Sequence, residues 1–312
     1  MRYTVVLTAD FPKVATDLLA PHFDVIAHPT EHARSEDDVI TLLGEADAAI
    51  TLLSDPITRN VLQANPNLRI VSNFAVGYNN IDIEAARELG VTVTNTPGVL
   101  TEATADLTLA LILAVTRRIV EGDDEVRTQR RCEWEPLKLL GASLQGKRLG
   151  IIGMGRIGSA VATRARAFGM DVVGVSRRAA DGGPHASLDD LLATSDIVSV
   201  HAPLTKETHH LLDAAAFAKM KRGSYVVNTA RGPLVDEHAL CDALESGHLR
   251  GAALDVYEFE PEVNPRLLRM ANVVLAPHIG SATEEARNAM ARIAATNVLL
   301  FLRGAEPLHR VV

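Results

Sequence analysis

The sequence predicts an α/β protein made of two doubly wound parallel-sheet domains. Three observations carry that expectation. Short runs rich in Val and Ile alternate with longer helical patterns from end to end, the signature of successive βα units. A G-x-G-x-x-G array, Gly153 to Gly158, follows one of these runs and opens a helical pattern, as a dinucleotide-binding turn requires. The chain has 312 residues, 47% hydrophobic and 22% charged, which is ordinary globular composition and length enough for two compact domains.

In chain order, the first strand candidates are 3–8, 23–27, 48–52, 69–73 and 91–95, with helical stretches such as 12–19 and 83–89 between them. Next comes 101–123, where Leu107, Leu111, Ala114 and Val115 recur at helical spacing, Thr101 is a candidate N-cap, and Pro97-Gly98 punctuates the turn upstream. This reads as one long helix joining the domains. Over 101–120 it is apolar around most of its circumference, so burial on several sides is expected. A second set of strands follows at 148–152, 171–176, 197–201, 225–229, 252–256 and 273–276, enough for a complete dinucleotide-binding sheet. The stretch 283–304 is helical by pattern and comes after that sheet is complete, so it is expected to pack back on the first domain. The expected division is residues 1–99 plus 285–312 as one domain and 100–284 as the other, meeting across a cleft.

The net charge of −8 and the lack of a strongly basic window fit a small soluble ligand better than nucleic acid or an anionic membrane. Cys132 and Cys241 have no metal-ligand spacing and suggest no disulfide framework. A reducing cytoplasm is the expected location and no metal is expected. The N-terminus lacks the pattern of a signal peptide, and the longest apolar run, 109–115, is too short to span a bilayer.

The glycine array has a residue-by-residue logic. Gly153 can make the tight turn, Gly155 lets backbone approach a pyrophosphate, Gly158 permits close helix packing, and the helix N-terminus offers free N–H groups. The strand after that helix ends Val175-Ser176-Arg177-Arg178. An acid there would take the ribose 2′-hydroxyl, but the nearby Asp171 begins the strand and so lies at its wrong end. Two guanidiniums and a hydroxyl stand where a 2′-phosphate could be gripped, which favours NADP over NAD. Three further residues, Arg231, Glu260 and His278, follow late strands of the second sheet, on the edge where open α/β sheets bind ligands.

The segments VVNTARGPLVDEHAL, GAALDVYEFEPE and VVLAPHIGSAT resemble the signature segments of the D-2-hydroxyacid dehydrogenase family. The similarity extends through FAVGYNNIDIEAARELGVTVTNTPGVLTEATADLTLAL, and the nearest pattern within the family is that of glyoxylate/hydroxypyruvate reductases. The resemblance implies a Rossmann domain beside a flavodoxin-like substrate domain, with Arg231, Glu260 and His278 catalytic. Arg231 would hold the substrate carboxylate with two parallel bonds, and His278 would protonate the forming alkoxide. Glu260 would hold the imidazole tautomer and favour its charged form.

The cofactor set so implied is Thr104, Gly153, Met154, Gly155, Arg156, Ile157, Gly158, Ser176, Arg177, Arg178, Thr229, Ala230, Asp255, His278 and Gly280, with Asp255 accepting from the nicotinamide carboxamide. The substrate set is Leu53, Val76, Gly77, Arg231 and His278, with the Val76 and Gly77 N–H groups on the carboxylate. In such a family the interdomain helix and the arm after it form a twofold contact, so a homodimer is expected. Trp134 in that arm either nears the substrate, crosses to a partner or packs locally. His201, His209 and His210 carry no catalytic spacing.

The reading is then an NADPH-dependent reductase of a small 2-oxo acid, glyoxylate or hydroxypyruvate. Two alternatives stand beside it. One is an NAD-linked dehydrogenase of a bulkier acid, such as a D-3-phosphoglycerate type, although that type often carries extra regulatory domains for which 312 residues are expected to leave no room. The other is a non-catalytic NAD(H)-sensing corepressor that retains the triad. A formate dehydrogenase is disfavoured, since that family puts Gln where Glu260 stands.

Overall fold

The structure is a computed structural model that describes residues 2–29, 34–176 and 187–312. The chain divides into two compact units, residues 1–100 with 281–312 and residues 101–280. In the first unit the order is β1 (Thr4–Leu7), α1 (Val14–Leu19), β2 (Asp24–Ala27), α2 (Glu36–Leu43), β3 (Ala48–Thr51), α3 (Arg59–Ala64), β4 (Ile70–Asn73), α4 (Ile83–Leu89) and β5 (Thr92–Thr94). All strand pairs are parallel, in the order β2-β1-β3-β4-β5. This is the flavodoxin-like arrangement. Strands β3, β4 and β5 are buried throughout, as the central strands of a parallel sheet covered on both faces are.

The second unit opens with α5 (Thr101–Arg117) and α6 (Ile119–Gln129). It continues with β6 (Arg148–Ile152), α7 (Arg156–Ala167), β7 (Asp171–Val175), α8 (Leu188–Thr194), β8 (Ile197–Val200), α9 (Ala214–Lys219), β9 (Ser224–Asn228), α10 (Glu237–Glu245), β10 (Leu249–Leu254) and β11 (Val273–Leu275). Among the described residues these six strands form one parallel sheet in the order β11-β10-β9-β8-β6-β7. The chain reverses direction across the sheet between β6 and β8, the switch point at which doubly wound folds bind ligands. One apolar cluster packs α8, α9 and α10 on one face, and another packs α5 and α7 on the opposite face.

Helix α11 (Glu284–Leu302) is capped by the Thr283 hydroxyl, which accepts from Ala286 N–H. It belongs to the first unit and packs on α1, β3 and β4. Its buried Asn297 accepts from Leu308 N–H and donates to Asn95 O, which seats the C-terminal residues beside β5.

One expectation is corrected. The stretch 101–123 is two helices, broken at Arg118, whose φ is +54°. The cause lies far along the chain: Ala142 N–H donates to the Thr116 carbonyl at 2.8 Å, replacing the helical donor from residue 120. Gly141 comes so close that a Cβ there would sit 2.3 Å from that oxygen. Arg118 then folds onto Glu121. Thr101 is inside the helix rather than its cap. Helix α5 is buried along Ala105, Thr108, Leu109 and Ile112, whereas α6 has no buried residue.

Candidate active site

The glycine turn between β6 and α7 meets the demands of its sequence. Gly153 has φ +103°, and an added Cβ would lie 2.5 Å from Ala202 N and 2.6 Å from the His201 carbonyl carbon, both at the end of β8. Gly158 packs so tightly that a Cβ would sit 2.2 Å from Gly153 O. Around a Cβ placed on Gly155, by contrast, there is open space to 4 Å. Gly155 is the N-cap of α7, with no side-chain cap and no acid in the first turn. The leading N–H groups of α7, from Arg156 and Ile157 onward, thus face an uncapped positive helix end, which suits a pyrophosphate. Met154 between them lays its side chain over Gly174, where a Cβ would meet its Cγ at 2.3 Å.

Strand β7 ends at Val175, and Asp171 at its start is engaged by Arg148 at 2.6 Å. Among the described residues no carboxylate stands at the end of β7. Ser176 is half-buried there, and Arg177 and Arg178 lie outside the described residues.

Arg231, Glu260 and His278 follow β9, β10 and β11, three adjacent parallel strands, so the sheet brings the segments that carry them to one edge. His278 Nδ1 and Glu260 Oε2 are 2.9 Å apart, with side chains 27% and 31% exposed. The second Glu260 oxygen accepts from Tyr257 N–H at 2.9 Å. Burial pushes the Glu260 carboxyl upward, but the His278 hydrogen bond and charge, the Tyr257 N–H and Arg231 together outweigh it and hold it below its ordinary value. Arg231 donates to Ala230 O at 2.6 Å and forms no ion pair among the described residues. Its guanidinium is lowered by burial, against the raising charge of Glu260. A desolvated cation without a fixed anion is chemically poised to take one from solution.

The turn that carries His278 is held from two sides. His278 has φ +52°, a strained conformation for a non-glycine residue. Just after it, Ile279 N–H and Gly280 N–H donate to the two oxygens of Asp255 at 2.7 and 2.8 Å. Thr104 donates to Gly280 O at 3.0 Å, and Thr108 pairs with Thr229 at the end of β9. Asp255 is 1% exposed, and burial raises its carboxyl despite those two donors. Tyr257, pushed up to about 12 by burial, donates from its hydroxyl to Ala276 O and so ties the end of β10 to that of β11.

In the first unit, Leu53 and Ser54 follow β3, and Val76 and Gly77 follow β4. The Val76 and Gly77 carbonyls accept from Asn95 and Asn73, while their N–H groups donate to no described residue. Sequence reasoning missed what holds these loops. Asn80 donates to the Leu52 and Asp55 carbonyls. Buried Asp55 accepts from Thr8, Leu52 N–H and Arg34. Trp134 is 85% exposed, so its local packing reading is set aside. His201 is paired with Ser199 and lowered by burial to about 4, which keeps it neutral. His210, to which no role was given, bonds Glu258 at 2.6 Å.

The chain is similar to known proteins along its whole length. A family model described as D-isomer specific 2-hydroxyacid dehydrogenase, NAD binding domain, matches residues 109–280. A glyoxylate reductase of Thermococcus litoralis is 43% identical over 100% of this chain and 97% of its own. A solved protein of Thermus thermophilus is 46% identical with a TM-score of 0.94, covering 99% of this chain and 100% of that one. An NADPH-dependent glyoxylate/hydroxypyruvate reductase of Sinorhizobium meliloti, solved with NADP and malonate, is 30% identical with a TM-score of 0.86, over 100% of this chain and 97% of that one. The glycine turn, the sheet edge and these matches together make the chain a member of the D-isomer specific 2-hydroxyacid dehydrogenase family.

Proposed function

We propose that the chain reduces a small 2-oxo acid, glyoxylate or hydroxypyruvate, to the 2-hydroxy acid with NADPH. The observation that carries this reading is the His278–Glu260 pair at 2.9 Å, on the sheet edge that also bears Arg231. Bound nicotinamide supplies the hydride. Arg231 holds the substrate carboxylate through two parallel N–H donors, which fixes the carbonyl for attack. In the first unit, the Val76 and Gly77 N–H groups, which donate to no described residue, and Leu53 are proposed as substrate contacts.

As negative charge develops on the carbonyl oxygen, His278 Nε2 donates its proton there. Glu260 accepts from Nδ1–H, so the tautomer and the ring's orientation are fixed. Thr104, Asp255 and Gly280 hold the turn that aims His278, while Thr229 and Ala230, at the end of β9, would contact the cofactor. The uncapped N-terminus of α7 would hold the pyrophosphate. NADPH is favoured because β7 ends without a carboxylate among the described residues and Arg177 and Arg178 follow Ser176 in the sequence. The Sinorhizobium meliloti relative, solved with NADP, supports that preference.

Ile119, Val120 and Val126 of α6 and Trp134, Leu137 and Leu140 of the arm after it are exposed, which supports a twofold contact in a homodimer. No described helix is long and apolar enough to cross a membrane. Both cysteines are free, consistent with a proposed cytoplasmic location. Initial rates on glyoxylate, hydroxypyruvate, pyruvate and phenylpyruvate, each with NADPH and NADH, test the reading. Highest kcat/KM on one of the first two acids, with NADPH favoured at least about tenfold, is expected. No turnover of any of the four overturns it.

A further inference from the structure

Three side chains that the reaction above does not use join the two segments bearing Arg231 and Glu260. Glu258 Oε2 accepts from Glu237 N–H at 3.1 Å, and Glu237 Oε1 accepts from Glu258 N–H at 2.7 Å. Each carboxylate thus bonds the other residue's backbone. The remaining oxygen of Glu258 meets His210 Nε2 at 2.6 Å, with the Glu258 side chain only 7% exposed. His210 in turn donates its backbone N–H to Pro233 O at 2.8 Å and holds φ +51°. Between the two segments the backbones touch: a Cβ on Gly232 would lie 1.8 Å from Tyr257 O. Tyr257 is the residue whose N–H binds Glu260.

We propose that Glu237, Glu258 and His210 form a clasp that positions Arg231 and Glu260 relative to each other. The proposal rests on the catalytic roles assigned to those two residues. The clasp is costly by itself. Glu237 is 2% exposed and its Oε2 is buried without a hydrogen-bond partner among the described residues. Burial, with the nearby charges of Glu258 and Glu260, raises its carboxyl. Buried charged groups of this kind contribute little net stability compared with apolar residues of the same volume, and their best-attested use is to fix one arrangement among several. The arrangement fixed here is the register between the loop after β9 and the loop after β10. A misplacement of about 1 Å in such a site is enough to cost about a hundredfold in rate.

The test compares Glu258→Ala, Glu258→Gln and His210→Asn. Gln keeps an acceptor for Glu237 N–H, and Asn tolerates the positive φ at position 210. Steady-state kinetics with glyoxylate and NADPH, NADPH affinity by fluorescence titration, and amide hydrogen exchange across 231–237 and 257–260 are read for each. Glu258→Ala is expected to lower kcat by at least roughly tenfold with the NADPH Kd within about twofold, and to speed exchange in both segments together. Glu258→Gln is expected to recover most of that loss, and His210→Asn to lose roughly three- to tenfold in kcat. Wild-type kcat in Glu258→Ala, or faster exchange in one segment alone, overturns the clasp. Should Glu258→Ala not fold, His210→Asn decides: unchanged kcat and unchanged exchange overturn it. If wild type turns over no 2-oxo acid, the reading of function fails separately, and the exchange data still decide the clasp.

Discussion

Exchanging single glycines of the turn after β6 for alanine separates folding from cofactor binding. At Gly153 the new Cβ would lie 2.5 Å from Ala202 N and 2.7 Å from His201 O, which are backbone atoms at the end of a central strand and have little room to move. Overpacking of that kind costs about 1–3 kcal/mol, and an alanine forced to positive φ adds about 1–2. Gly153→Ala should therefore lose about 2–5 kcal/mol of stability. At Gly155 the same methyl enters open space, and φ is −82°, which alanine adopts freely. Losing glycine at an N-cap costs up to about 1 kcal/mol, while the less flexible unfolded chain returns about 0.4–1, so stability should be nearly unchanged. The methyl nevertheless stands where a pyrophosphate would approach the uncapped helix, and NADPH should bind at least roughly tenfold more weakly. Denaturant unfolding of the apoprotein and fluorescence titration with NADPH give both quantities. Wild-type affinity in Gly155→Ala would show that Gly155 does not face the pyrophosphate, and wild-type stability in Gly153→Ala would show that its turn is not tightly packed.

Arg231→Lys keeps the charge but loses the planar fork, so KM for the oxo acid should rise roughly tenfold or more with NADPH affinity unchanged; an unchanged KM removes Arg231 from carboxylate binding. Ser176→Asp should shift preference toward NADH, as the ratio of kcat/KM for the two cofactors would report, because the new carboxylate repels a 2′-phosphate and accepts from ribose hydroxyls. Glu237 is raised by burial above the 4.5 of a free carboxyl, so the folded state holds its proton more tightly than the unfolded chain does. The contribution of Glu237 to wild-type stability accordingly falls as pH rises from about 4.5, and Glu237→Gln lacks that loss. The Tm of the variant minus that of wild type should grow between pH 4 and 7, and a constant difference contradicts the burial argument. Light scattering at micromolar protein should give twice the 33.5 kDa chain mass, and a monomeric mass would count against the twofold contact.

The strands were legible because short runs rich in Val and Ile alternate with longer helical patterns, and all eleven expected runs contain strands. Glycine spacing and strand ends likewise exposed the cofactor turn and the segments that bring Arg231, Glu260 and His278 to one edge. The break at Arg118 was not legible, because local periodicity continues through it. It is made by Ala142 N–H taking the Thr116 carbonyl, a donor 26 residues away. The clasp was hidden for the same reason: His210 and Glu258 are 48 residues apart and Glu237 and Glu258 are 21 apart, with no spacing that a motif would record. Asp255 was legible as a strand-end acid, but its grip on the His278 turn depends on two N–H directions that only the folded backbone fixes.

The proposed reaction turns on His278, held by Glu260, delivering the proton to a 2-oxo acid as hydride arrives. Stopped-flow single turnover with NADPH and glyoxylate, following loss of nicotinamide absorbance in wild type and His278→Ala, tests it most directly. The chemical step is expected to be slower by roughly 10² to 10⁴ in the variant, with the NADPH Kd within about twofold. A variant whose chemical step stays within about twofold of wild type would contradict it.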